Sequence, residues 1–157
     1  MSYPQQPNAF PPQTGGTPLW APLYGATLQQ AVQRFFKKYA TFSGRASRSE
    51  YWWWALVSLI VGIVINIITS TGTTTNASGA AVTGPGAIIG LILAVIWGLG
   101  TIVPSLALLA RRLHDVNLSA WLILLVLVPF LGGLALLVMT ILQSNPAGQR
   151  FDQPAGY

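Results

Sequence analysis

Hydrophobic positions along this chain come in unbroken runs rather than in spaced faces. From Tyr51 to Ala110 no residue carries a formal charge, and none does from Val116 to Gln149. Between these runs stands Arg111-Arg112-Leu113-His114-Asp115, which includes the only histidine. Such runs read as bilayer spans, because a helix needs roughly 20 apolar residues to cross a hydrocarbon core about 30 Å thick. Three spans are expected, over about 52–69, 87–110 and 121–142. In the first, Ala55, Ser58, Gly62 and Asn66 share one face. In the second, Gly86, Gly90, Ala94 and Gly98 repeat every fourth residue, a ridge that lets another backbone approach. Pro104 is expected to kink that helix near its inner end. Pro129 and Gly132-Gly133 interrupt the third span near its middle.

Before the first run the pattern is different. Residues 1–26 form a tail rich in Pro, Gln and Gly, without charge or aliphatic periodicity, and read as disordered. Tyr3, Phe10, Trp20 and Tyr24 are its candidate contact points. From residue 27 to 41 the spacing of Leu28, Val32, Phe35, Phe36 and Tyr39 predicts an amphipathic helix, with Gln29, Gln30, Gln33 and Lys37 on the other side. It either lies in the membrane interface or packs its apolar stripe on the protein itself. Ser47 and Glu50 have the spacing of a capping box, and Tyr51 to Trp54 form an aromatic belt at the membrane entry. The predicted architecture is an all-α integral membrane protein: a membrane domain over 27–157, with three transmembrane helices behind an interfacial helix.

Composition narrows the function classes. The chain of 157 residues is 52% hydrophobic and 7% charged, with a formal net charge of +5. Nucleic-acid binding is excluded, because the basic residues flank the spans instead of forming a stripe interleaved with exposed aromatics. The absence of cysteine removes disulfides, thiolate metal sites and thiol nucleophiles. No cleavable signal peptide is expected at the start, which has neither a basic opening nor an apolar core. Arg34, Lys37, Lys38, Arg45 and Arg48 precede the first span, Arg111 and Arg112 follow the second, and the loop between is uncharged. The positive-inside rule then puts the N-terminus in the cytoplasm of a multi-pass plasma or inner-membrane protein. Three crossings carry the C-terminus outside. A re-entrant third segment, turning at Pro129 and Gly132-Gly133, would bring it back.

Three motifs carry a family resemblance: Phe42-Ser43-Gly44-Arg45 with Arg48-Ser49-Glu50-Tyr51-Trp52, then Arg111-Arg112-Leu113-His114-Asp115 with Trp121, then Pro146 to Phe151. In that order they resemble the YhaH-like bacterial inner-membrane proteins, grouped as domain of unknown function 805, over roughly Phe35 to Phe151. The resemblance implies location and helix count and brings no assigned reaction. The family commonly carries Asn where Gln149 stands, Gly where Asp152 stands and a basic residue where Leu118 stands.

Both charged motifs fall on one membrane face if the first two spans form an antiparallel pair. A structural charge network of Arg45, Arg48, Glu50, Arg111, Arg112 and Asp115 is therefore expected, Glu50 pairing with Arg111 or Arg112 and Asp115 with Arg45 or Arg48. His114 beside Asp115 suggests catalysis, but adjacent helical residues point about 100° apart. One His and three acids also fall short of a usual metal ligand set. His114 reads instead as a helix-end cap or a pH-sensitive contact, and Gly62, Gly90, Ala94 and Gly98 as helix-packing positions. No cofactor is implied. The leading expectation is a non-enzymatic scaffold or interaction protein. Its inner face would meet anionic lipid head groups, with a homo-oligomer or a membrane-protein partner possible, and its small-residue ridge would serve helix packing or self-association. A small transporter or channel component lined by Ser58, Asn66 and Thr69 is the alternative. A membrane enzyme acting on a lipid phosphate through Arg111, Arg112 and His114 is the third.

Overall fold

The computed structural model describes residues 17–152, so most of the proposed tail lies outside the described residues. Its first helix, α1 (Leu28–Lys37), opens with a capping box: Thr27 accepts from the Gln30 amide while the Gln30 side chain accepts from Thr27. A loop at 38–47 turns the chain into α2 (Arg48–Thr71), which Ser47 and Glu50 cap as their spacing predicted. A short antiparallel hairpin, β1 (Thr73–Thr75) with β2 (Ala81–Thr83), connects to α3 (Pro85–Asp115). Pro85 sits in the first turn of α3, where the missing N–H costs nothing. The helix continues through Pro104 as one element.

At about 1.5 Å per residue, 24-residue α2 and 31-residue α3 are roughly 36 and 46 Å long. Both are long and apolar enough to cross a membrane. They pack as an antiparallel pair. At the hairpin end small residues let the backbones touch: a Cβ on Gly90 would meet the Thr69 Cα at 2.8 Å. At the other end aromatics fill the gap, with Phe35 of α1 stacked on Trp54 (centroids 3.4 Å) and Trp54 on Trp97 (5.9 Å). The α1 stripe thus packs on the protein at Ala31 and Phe35, while Leu28, Phe36 and Tyr39 remain exposed.

The stretch read as a third span is not one helix. Residues Ala120–Leu127 form a 3₁₀ segment, the chain turns at Phe130 (φ 60°), and α4 (Leu131–Ile141) runs back against the 3₁₀ segment. With 11 residues, α4 is about 16 Å long, half of what a crossing needs. Gly132 makes the hairpin possible, since a Cβ there would collide with the Leu125 carbonyl oxygen. Both ends of the segment lie against the end of α3: the Leu118 amide donates to Leu113 O (2.9 Å) and the Asn145 amide to Asp115 O (2.8 Å). The chain therefore leaves the charged end of the helix pair and returns to it. Two membrane-length helices and one shorter apolar helix replace the three expected spans.

Burial is inverted relative to a soluble protein, whose Arg and Asp are almost never fully buried. Arg112 and Asp115 are 0% exposed and Arg111 1%, whereas Leu99 is 71% and Phe130 95% exposed.

Candidate functional site

At the charged end of the helix pair, four chain segments meet around the α3 terminus. The loop before α2 comes first. Gly44 holds the left-handed region at φ 80°, and a Cβ there would stand 2.8 Å from the Trp20 carbonyl oxygen, so glycine is required twice over. Its amide donates to Phe151 O (3.0 Å), and its carbonyl accepts from His114 Nδ1 (3.1 Å). Two residues on, the Ala46 amide donates to Arg111 O at 3.0 Å. That loop is stitched to both the α3 terminus and the C-terminal segment.

Glu50 is buried and fully engaged. One oxygen accepts from the Ser47 amide (2.9 Å) and the Leu23 amide (3.0 Å), the other from Arg34 Nε (2.6 Å). The remaining Arg34 nitrogens donate to the carbonyls of Thr17, Pro18, Leu19 and Ala21. A guanidinium presents five donors in a rigid fork, and here that fork ties residues 17–24 down across the start of α2. The expected Glu50 partners were Arg111 or Arg112; the structure pairs it with Arg34. The reversal of direction at 38–47 brings α1 back over the α2 N-terminus and puts Arg34 in reach.

Asp115 is the second hub. Arg112 Nη1 pairs with it, Tyr24 Oη donates to it at 3.0 Å, the Ser144 hydroxyl donates to it, and Arg45 Nη1 lies 3.8 Å away. Arg45 also forms a two-pronged pair with Asp152, Nε to Oδ1 at 2.9 Å and Nη2 to Oδ2 at 2.8 Å. Arg112 continues into the hairpin, its Nε donating to Thr140 O (3.0 Å) and its Nη2 to Leu142 O. Of the two arginines expected at Asp115, the structure brings Arg45 there; Arg48 is exposed. Burial raises the Tyr24 hydroxyl above its ordinary pKa, and the neighbouring Asp115 charge adds to the rise.

His114 and Asp115 do not orient each other. The imidazole bonds Gly44 and stacks on Phe151, and Arg150 lies over that ring at 4.6 Å from its centroid. The transporter candidates are scattered as well. Ser58 lines an open groove of about 300 Å³ with Tyr51, Trp54 and Ser105. Thr69 bonds its own helix at Ile65 O, and Asn66 is exposed outside that groove. Of the expected helix-packing positions, Gly90 serves the α2–α3 contact, while a Cβ on Gly62 or Gly98 would meet nothing within 4 Å and Ala94 is exposed.

Sequence reasoning did not place Arg34, Lys38, Ser144 or Asp152 in the charge network, and it named Tyr24 as a contact point without the Asp115 partner. A usable signal existed for two of them. The chain has only three acidic residues, and an acid at a membrane boundary needs a cation. Asp152 and Glu50 were therefore due one partner each, and the arginines were the available supply.

A helical membrane protein with most of its charged side chains gathered into one buried clasp is the class that this fold and site define. The chain belongs to the family described as "Protein of unknown function (DUF805)", whose model matches residues 39–153. It is 38% identical over 118 residues to Inner membrane protein YhaI of Escherichia coli (strain K12), covering 73% of this chain and 86% of the relative. It is 35% identical over 118 residues to Inner membrane protein YhaH of the same strain, covering 75% and 89%. No solved structure matches the chain.

Proposed function

We propose that the protein is a non-enzymatic scaffold of the inner membrane whose clasp faces the cytoplasm and meets anionic head groups or a membrane-protein partner. In this reading α2 and α3 cross the bilayer, residues 120–142 enter it and turn back, and both described ends of the chain lie inside. The observation that carries it is the meeting of four sequence-distant segments at Asp115, through Tyr24, Arg45, Arg112 and Ser144. A carboxylate tied to Tyr24, Arg45, Arg112 and Ser144 is a fastening rather than a free acid.

Charge distribution supports the orientation. With the third segment re-entrant, all eight basic residues, Arg150 included, fall on one side, and the β1–β2 connection on the other carries none. That is a stronger bias than three crossings would give. Broken backbone inside a bilayer is costly unless its polar groups are satisfied. Here Gly132 N donates to Val128 O (3.1 Å) and Arg112 takes the carbonyls of Thr140 and Leu142.

Extraction in native-lipid polymer particles tests the reading. Enrichment of anionic lipid over the bulk membrane, or a membrane protein at fixed ratio, is expected. Bulk lipid composition with no such protein would overturn it.

A further inference from the structure

The charges of the clasp do not balance internally. Arg34 is matched by Glu50, Arg45 by Asp152, and Arg112 by Asp115. These are all the acidic residues in the chain. Two further cations are buried in the same place, Lys38 at 3% exposure and Arg111 at 1%. The Lys38 ammonium and one Arg111 terminal nitrogen have no hydrogen-bond partner among the described residues. Arg111 spends its Nε on the Ala107 carbonyl of its own helix (3.1 Å) and forms no ion pair among the described residues.

We propose that Lys38 and Arg111 together form a binding site for a phosphate-type anion, either the head-group phosphate of a membrane lipid or inorganic phosphate. A buried ionised group without a partner is expensive, and the repulsion that Arg111 exerts on Lys38 adds to the cost. One anion with several acceptor oxygens removes both deficits. A guanidinium and an ammonium from different elements suit tetrahedral phosphate, which offers acceptors in several directions. The position fits as well. Lys38 directly follows α1, and the exposed Tyr39, Phe42, Trp52 and Trp53 around this end are residues that settle at head-group depth. The lysine stem lets the ammonium swing outward to meet an incoming anion.

The electrostatic surroundings agree. Burial lowers the Lys38 pKa to about 7, against a pull upward from Glu50 and a further push downward from Arg34 and Arg111. An anion in the site would reverse this. The inference deepens the proposed function by naming the lipid chemistry, and for its lipid form it rests on the clasp lying at the membrane interface.

The chain has two lysines, Lys37 and Lys38, so ¹³C-dimethylation gives two resolvable side-chain NMR signals, assigned with Lys37→Arg. The full chain is titrated with pH in phosphate-free maltoside micelles, then with inorganic phosphate, with dihexanoyl phosphatidylglycerol, or with chloride at equal ionic strength. The Lys38 pKa is expected to rise by about one to three units with anion bound. A rise in both phosphate arms means that the phosphate group suffices; a rise with phosphatidylglycerol alone makes a lipid the source. No rise in either, or an equal rise with chloride, overturns the site. Arg111→Gln should weaken binding at least about tenfold, the loss of one charged contact. If that variant does not fold, equilibrium dialysis of radiolabelled phosphate or phosphatidylglycerol against Lys38→Gln decides, and unchanged binding overturns the proposal. A silent Lys38 would leave the lipid-enrichment result standing, so the two failures are separable.

Discussion

The imidazole of His114 and the ring of Phe151 lie face to face, centroids 4.1 Å apart and planes 5° from parallel. This contact fastens the last described segment to the end of α3, with the Gly44 amide bonded to Phe151 O and the Arg45–Asp152 pair on either side. Phe151→Leu keeps most of the volume and removes the stack. It should lower stability by about 0.5–1.5 kcal/mol beyond the change in buried area, measured as a thermal shift in micelles. Phe151→Tyr, which keeps the ring face, should lie close to wild type.

Glu50 and Arg34 form a close ion pair, Oε1 to Nε at 2.6 Å, with both side chains buried. Removing one partner of a buried pair leaves a stranded charge and costs about 3–5 kcal/mol. Glu50→Gln and Arg34→Gln should each do so, while the double variant should cost much less than their sum, a coupling of about 0.5–3 kcal/mol. The Glu50–Arg111 cycle should give a smaller coupling. Equal coupling in the two cycles would move Glu50 back toward α3.

Gly132 and Gly133 are neighbours with opposite constraints. A Cβ on Gly132 collides with the Leu125 carbonyl, and one on Gly133 meets nothing within 4 Å. Gly132→Ala should therefore destabilise by about 1–3 kcal/mol through overpacking. Gly133→Ala should be neutral or stabilising by up to about 1 kcal/mol, the helix-propensity gain. Denaturation of both variants under matched conditions checks the contrast, which a straight spanning helix would not produce.

Lys38 sets a pH dependence. Its folded pKa of about 7 lies below the ordinary 10.5, so the unfolded chain holds more protons than the folded one between those values. Stability then rises with pH across that window and is flat with respect to this group below it. In phosphate-free micelles the unfolding free energy of wild type should climb from pH 7 to 10, and that of Lys38→Met should lack this part of the slope.

Much of this architecture is legible in the residues, and the illegible parts share a cause. The Ser47–Glu50 cap, the approximate extents of α2 and α3 and the approach of Arg45 to Asp115 follow from local spacing and from charge placed at span ends. The Arg34–Glu50 pair depends on the angle at which α1 returns through 38–47, which no local pattern specifies. The third apolar stretch has the hydropathy of a crossing helix either way. Its fate is decided by Gly132 admitting the Leu125 carbonyl and by Arg112 reaching Thr140 and Leu142, contacts between positions far apart in sequence. The β1–β2 strands, Thr-rich and exposed throughout, carry no alternation that would announce them.

The central claim is that residues 120–142 leave and re-enter one face, so that the C-terminal segment joins the clasp. The chain has no cysteine, so single-cysteine variants at Lys37, Ser78 and Gln149 report their own side of the membrane to an impermeant maleimide in intact cells. Ser78→Cys should label from outside, and Lys37→Cys and Gln149→Cys only after the membrane is opened. Labelling of Gln149→Cys from outside together with Ser78→Cys would contradict it.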